Sequence, residues 1–346
     1  MIKANERKRD FALDYIRVIA MLLIAFCHFF QIINSLEVAF WLNIGVQIFL
    51  VLSAKLLQKK RFNTTKDVLQ FYGTRIVRIM LPVWIYLAAI SVILIIIRQP
   101  PSIISVLVYA LGGAAFIKGG VLGLGHFWYL SIILIAYLLL PLLSLFVREM
   151  NKAKPWVFAF ILAGISLLLI GLFWLVATPA YGVHLSLFIA AYYLFQRSEG
   201  EEAFEKKCVK HALIPMIVSV IVRSTLTIAG IEGWEYYTVY DALCVPIFKA
   251  VQGYWLFCAL YCLFSKEKCR VFPKAFRYLS EVSFEIYITH QFIELAVYEY
   301  VPYCNSGTIL GALIMLVVSA VLIALNTWVL HYAVGLLQKG AKRLKK

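Results

Sequence analysis

Apolar stretches about as long as a bilayer is thick follow one another along almost the whole chain. A transmembrane helix needs about 20 mostly apolar residues. Ten stretches read as candidates, near 11–33, 39–57, 76–97, 126–147, 156–177, 182–196, 212–230, 240–264, 278–300 and 307–337. Segment 102–117 is also apolar, but Gly112 and Gly113 break it, and it reads as re-entrant or interfacial. Runs such as SVILIIIR and LIAYLLLPLLSLF do not alternate, which excludes a membrane β-barrel. The first run continues past the length of a signal peptide's apolar core and has no small-residue exit, so it reads as a retained span. The expectation is an all-α, polytopic helical membrane protein with about ten transmembrane helices. Composition agrees: 63% of residues are apolar and only 15% charged, which excludes a soluble globular enzyme and a disordered chain.

The formal charge of +15 would point to nucleic acid in a soluble protein. Here the placement of the charges decides otherwise. With the N-terminus inside, all but Arg98, Lys118, Arg223 and Lys249 of the 33 Lys and Arg fall on inner segments or in the tail. Cytoplasmic loops carry such an excess, beside an anionic leaflet. Both termini are therefore expected in the cytoplasm, with the lipid bilayer as partner and no nucleic acid. One transmembrane domain is expected over 1–346, ending in a short basic tail at 338–346. The seven cysteines are odd in number and form no CxxC pair, so neither a disulfide framework nor a zinc site is expected, and no metal.

Ionisable groups inside a membrane are costly, so each is a functional hypothesis. The first span holds Asp14, Arg17 and His28. At 100° per residue Arg17 and His28 share a helix face to within roughly 20°, about 16 Å apart along the axis. Asp14 can pair with Arg17 at i, i+3. The alternative is that Asp14 and Arg17 are interfacial anchors and His28 bonds a neighbouring helix. In the ninth span Ser283, Tyr287, His290 and Glu294 form one polar stripe over about three turns. Histidine near an ionisable Glu suits a general base or a proton relay, and such a stripe can equally line a water-filled transport path. GHFWYL places His126 and Trp128 at the outer start of the fourth span. Arg75 and Arg78 in RIVR are either positive-inside anchors or a phosphate clamp, since Arg presents planar forks to phosphate oxygens. Arg223, Lys249 and Gln252 add buried polarity without an assigned role. No GxxxxGK[ST], GxGxxG before a helix, HExxH or GxSxG occurs, so nucleotide hydrolysis, dehydrogenase and hydrolase readings have no support.

These elements together resemble the membrane acyltransferase 3 family, which modifies cell-surface glycans in bacteria. RDFALDYIRVIAMLLIAFCHFF carries Arg17, ten residues, then His28, with the preceding Asp14. IGVQIFLVLSAKLL is similar to the family's "FFVLSG" element, RIVRIMLPVWIY to its basic pair before proline, and GHFWYLSIILIAYLLLPLL and YLSEVSFEIYITHQFI follow in order. Where the family has Gly and an aromatic after its "FFVLS", this chain has Ala54 and Lys55. The resemblance implies transfer of an acyl group, usually acetyl, from cytosolic acyl-CoA to a hydroxyl of a surface or secreted polysaccharide or glycolipid, at the bacterial cytoplasmic (plasma) membrane. It implies a catalytic group of His28, Asp14 and Arg17, with Arg17, Arg75 and Arg78 holding the coenzyme phosphates. His28 would act as general base or carry the acyl group briefly. His126, Trp128, Ser283, Tyr287, His290 and Glu294 would line the acceptor side. The rival classes are a secondary transporter and a flippase of a surface-polysaccharide precursor.

Overall fold

The computed structural model describes residues 10–198, 204–228 and 240–343, and among these every regular element is helical. Lys3, Arg7, Lys8, Arg9, Lys345 and Lys346, all expected inside, lie outside the described residues, as do 229–230 of the seventh expected span.

α1 (Phe11–Ile32) starts on Asp10, whose carboxylate accepts the Ala12 N–H at 3.1 Å. The second expected span is two helices, α2 (Leu36–Leu42) and α3 (Gly45–Leu57). α4 (Thr65–Ile96) opens on a reciprocal cap: the Thr64 hydroxyl accepts the Asp67 N–H and the Asp67 carboxylate accepts the Thr64 N–H, which satisfies two donors the first turn would leave open. The Gly112–Gly113 segment holds α5 (Ile103–Ala110), eight residues long and too short to cross. A 3₁₀ turn at Gly125–Phe127 leads into α6 (Trp128–Met150). Then come α7 (Pro155–Val176), α8 (Ala180–Arg197), α9 (Phe204–His211), α10 (Leu213–Ile228), α11 (Val245–Phe264), α12 (Pro273–Tyr300) and α13 (Ile309–Arg343). α13 runs through the expected tail as far as Arg343, so 338–343 continue the last helix.

Among the described residues seven helices are long and apolar enough to cross a membrane, or eight if α9 and α10, bent by 42°, form one span. That is fewer than the expected ten. The difference lies in α8 and α12, which fall short in apolarity rather than in existence. α8 buries most of its residues, His184 and Gln196 among them, and α12 turns its polar face, Ser280, Glu285, His290 and Glu294, to its neighbours. A helix screened from lipid can carry polar groups that a lipid-facing one cannot. α7 is the reverse case, apolar but for Ser166 and burying only Phe158 and Phe173.

α12 is the hub, packed along α1 and α13 and touching α4. At one end the Arg17 guanidinium donates to Ser280 Oγ (2.8 Å) and Ser280 Oγ donates to Asp14 (2.8 Å), while Arg17 stands 3.7 Å from the same carboxylate. Further along, the Tyr86 hydroxyl of α4 donates to the Thr289 carbonyl at 3.3 Å, and His331 of α13 meets Glu285 at 3.0 Å.

Candidate active site

The polar stripe of α12 and the His28 end of α1 face one another, because α1 and α12 pack side by side. The turn Gly125–Phe127 brings His126 in from a third direction. Three imidazoles converge. The His126 and His290 ring centres are 4.7 Å apart, His28 and His290 5.4 Å, and His28 and His126 6.0 Å. His126 and His290 are buried, and His28 is half-buried.

Hydrogen bonds fix how the rings present their nitrogens. The Nδ1 of His290 lies 2.8 Å from the Tyr287 carbonyl, which can only accept, so Nδ1 carries the proton and Nε2 a lone pair. The Tyr287 hydroxyl donates to the His126 carbonyl and so ties the 3₁₀ turn to α12. The Nδ1 of His28 has Gln31 Oε1 at 2.9 Å and Gln291 Nε2 at 3.3 Å. Nε2 of His126, Nε2 of His290 and Oε2 of Glu294 are buried with no hydrogen-bond partner among the described residues. Two imidazole lone pairs thus stay available on rings 4.7 Å apart, with the buried Glu294 carboxyl one turn further along α12. Among the described residues no three His, Cys, Asp or Glu side chains converge closely enough to hold a metal ion.

Beside the rings is a cavity of about 170 Å³, bounded by Cys27, His28, Gln31, Asn43, His126 and Trp128, among others. Its wall is half polar amide and imidazole, half aromatic and aliphatic. Trp128 stacks between Tyr181 (5.1 Å) and His184 (5.3 Å) of α8, which holds the indole plane fixed. A second groove, between α6 and α8, is lined by Ala, Leu, Ile and Phe side chains and offers no chemistry.

A family model described as an acyltransferase domain, of the acyltransferase 3 type, matches residues 10–328. The chain belongs to the acyltransferase 3 family. Among curated proteins and solved structures no match is found. This acyltransferase is a multi-pass membrane protein.

Of the residues singled out in the acyltransferase's sequence, His28, His126, Tyr287 and His290 come together, and Trp128 shares their cavity. Glu294 lies one turn beyond His290, buried. Ser283 bonds back to the Ser280 carbonyl of its own helix at 2.9 Å. Asp14 and Arg17 meet Ser280, about 21 and 16 Å along α1 from His28. Arg75 lies over the rings of Phe71 (5.7 Å) and Tyr137 (5.6 Å), and Arg78 is exposed on α4. Sequence reasoning did not find Gln31, Asn43, His184, Ser280 or Gln291. Gln31 follows His28 by three residues and Gln291 follows Tyr287 by four, so the face rule that found the stripe also reaches them. Asn43 enters through the break between α2 and α3, which carries no such periodicity.

Proposed function

We propose that this acyltransferase moves an acyl group, acetyl in the first instance, from cytosolic acyl-CoA to a hydroxyl of a polysaccharide or glycolipid beyond the bacterial cytoplasmic membrane. The observation that carries the reading is the three-histidine cluster beside a cavity walled by amides and a stacked indole, in a chain of this family. Amides and an aromatic face suit a polyol, which offers hydroxyls at its edges and C–H groups on its faces.

In this reading His28 takes the proton from the acceptor hydroxyl. The oxygen attacks the thioester carbonyl, the C–S bond breaks, and the imidazolium returns the proton to the departing thiolate. An ester and free coenzyme A result. Arg17, Arg75 and Arg78 serve the coenzyme phosphates at the inner end, where charge-assisted forks suit phosphate. Asp14 orients Arg17. Trp128, Tyr287, His290 and Glu294 hold the acceptor side, with Ser283 supporting the stripe from its own helix.

The test is transfer of radiolabel from acetyl-CoA to glycan in membranes. Removing a general base costs about 10²–10⁴ in rate, so His28→Ala should abolish measurable transfer at normal protein level. His28→Gln keeps size and hydrogen bonding but takes no proton, and should be equally inactive. Robust transfer by His28→Gln would sink the assignment and move His290 to first candidate. Movement of substrate across the membrane without covalent change would favour a transporter or flippase instead.

A further inference from the structure

Gln291 of α12 stands between two histidines that reach the cluster from different directions. Its amide orientation is fixed by chemistry. The His126 main-chain N–H can only donate, so the atom 3.0 Å from it is oxygen, Oε1. The same oxygen lies 2.6 Å from Nδ1 of His126. An amide oxygen has only lone pairs, so Nδ1 of His126 carries the proton and Nε2 is bare. The other end of the amide, a donor, lies 3.3 Å from Nδ1 of His28, but that nitrogen is closer to Gln31 Oε1, at 2.9 Å, and as the donor to that oxygen it does not accept from Gln291. One side chain thus sets the tautomer of the first imidazole and lies against the second.

We propose that Gln291 is a positioning residue that locks His126 with Nδ1 protonated and its proton-accepting nitrogen, Nε2, bare. The role rests on the acyl-transfer reading of the site. A merely structural amide would serve equally well with His126 in either tautomer. This one contacts Nδ1 itself as well as the backbone, and Nε2 of the same ring has no other partner among the described residues. The position of the turn is fixed separately, by the Tyr287 hydroxyl on the His126 carbonyl, so the amide has a job beyond placing the loop. The titratable groups around the pair are Cys27 of α1, Tyr287, His290 and Glu294 of α12, and Tyr129 of α6 across the Tyr287 ring. Behind them, His184 of α8 stacks on Trp128, and Lys249 of α11 and Arg223 of α10 lie within electrostatic reach of Cys27.

The test uses the full chain purified in detergent, with ¹⁵N-labelled histidine, and the His126 signal identified by its loss in His126→Asn. Wild type should show His126 protonated on Nδ1 and bare on Nε2. Gln291→Met, which keeps the length and removes both hydrogen bonds to His126, should lose that preference. It should also lower kcat by about tenfold or more, as loss of an imidazole's orienting partner does at other sites, with the KM for acyl-CoA unchanged. Gln291→Glu keeps an accepting oxygen and should restore the tautomer. Its negative charge should move the acid limb of the pH–rate profile upward by about one unit. A wild-type His126 protonated on Nε2, a Gln291→Met enzyme of normal kcat, or an acid limb unmoved in Gln291→Glu overturns the proposal. Wild-type protein that transfers no acyl group overturns the acyl-transfer reading and the kinetic role with it, whereas the nitrogen signals still decide the tautomer lock, so the two failures are told apart.

Discussion

Gly123 sits in the left-handed region (φ 71°), and the missing side chain lets Phe292 of α12 come close: a Cβ there would lie 2.9 Å from the Phe292 Cα. His126 follows three residues later. Gly123→Ala is therefore strained twice, in its backbone and against a main chain that cannot turn away. It should lower stability by about 1–3 kcal/mol and push His126 off its partners, read as a lower melting temperature in detergent together with lost transfer. Gly45, where α3 begins, is the companion case. A Cβ on it would lie 2.5 Å from the Ala20 carbonyl oxygen, so Gly45→Ala should force α1 and α3 apart at the cavity floor at a similar cost. A wild-type melting temperature in either variant would contradict these contacts. His28, His126 and His290 were legible in the sequence because an ionisable group in an apolar run stands out against its surroundings, a signal that His184 of α8 carried as well. Gln31, Asn43 and Gln291 were not, since an amide in such a run is cheap enough to pass as packing. The two glycines were equally silent, because what makes them necessary is a neighbour distant in sequence.

The helices themselves were legible, since twenty-residue apolarity is a local property. What distinguishes α8 and α12 from the lipid-facing helices is that other helices cover their polar residues, which no single segment encodes. The Asp14–Arg17 pair was readable at i, i+3, but its anchor, Ser280, comes from a helix more than 260 residues away. The two arginines of α4 separate at this level. Arg75 is half-buried over two rings, while Arg78 is exposed. If both hold coenzyme phosphates, Arg75→Ala and Arg78→Ala should each weaken acyl-CoA binding by roughly 1.5–3 kcal/mol. Lysine should rescue only partly, because it lacks the planar fork. Arg75→Ala should in addition lower the melting temperature, by the loss of its ring contacts, worth about 0.5–1 kcal/mol at such partly exposed sites. Isothermal titration with acyl-CoA and thermal unfolding separate the two effects. Unchanged affinity in both variants would remove α4 from the donor site.

For the whole molecule, the distribution of Lys and Arg predicts that both termini and the segment 197–211 face the cytoplasm. Membrane-impermeant thiol reagents applied to intact cells should leave single cysteines placed there unmodified, and labelling from outside would invert the topology. In that orientation His28 stands four residues short of the outer end of α1, about 6 Å along a helix some 33 Å long. A proton arriving from outside then crosses about a fifth of the voltage drop, worth roughly 0.5 kcal/mol for every 100 mV. An interior-negative membrane would hold more of the His28 population charged than a depolarised one does. At acidic pH acyl transfer should accordingly slow about twofold per 100 mV, and the effect should vanish at alkaline pH. Proteoliposomes clamped with a potassium gradient and an ionophore read this directly. The depth of one side chain on one helix would thus make acyl transfer sensitive to how well the cell is energised.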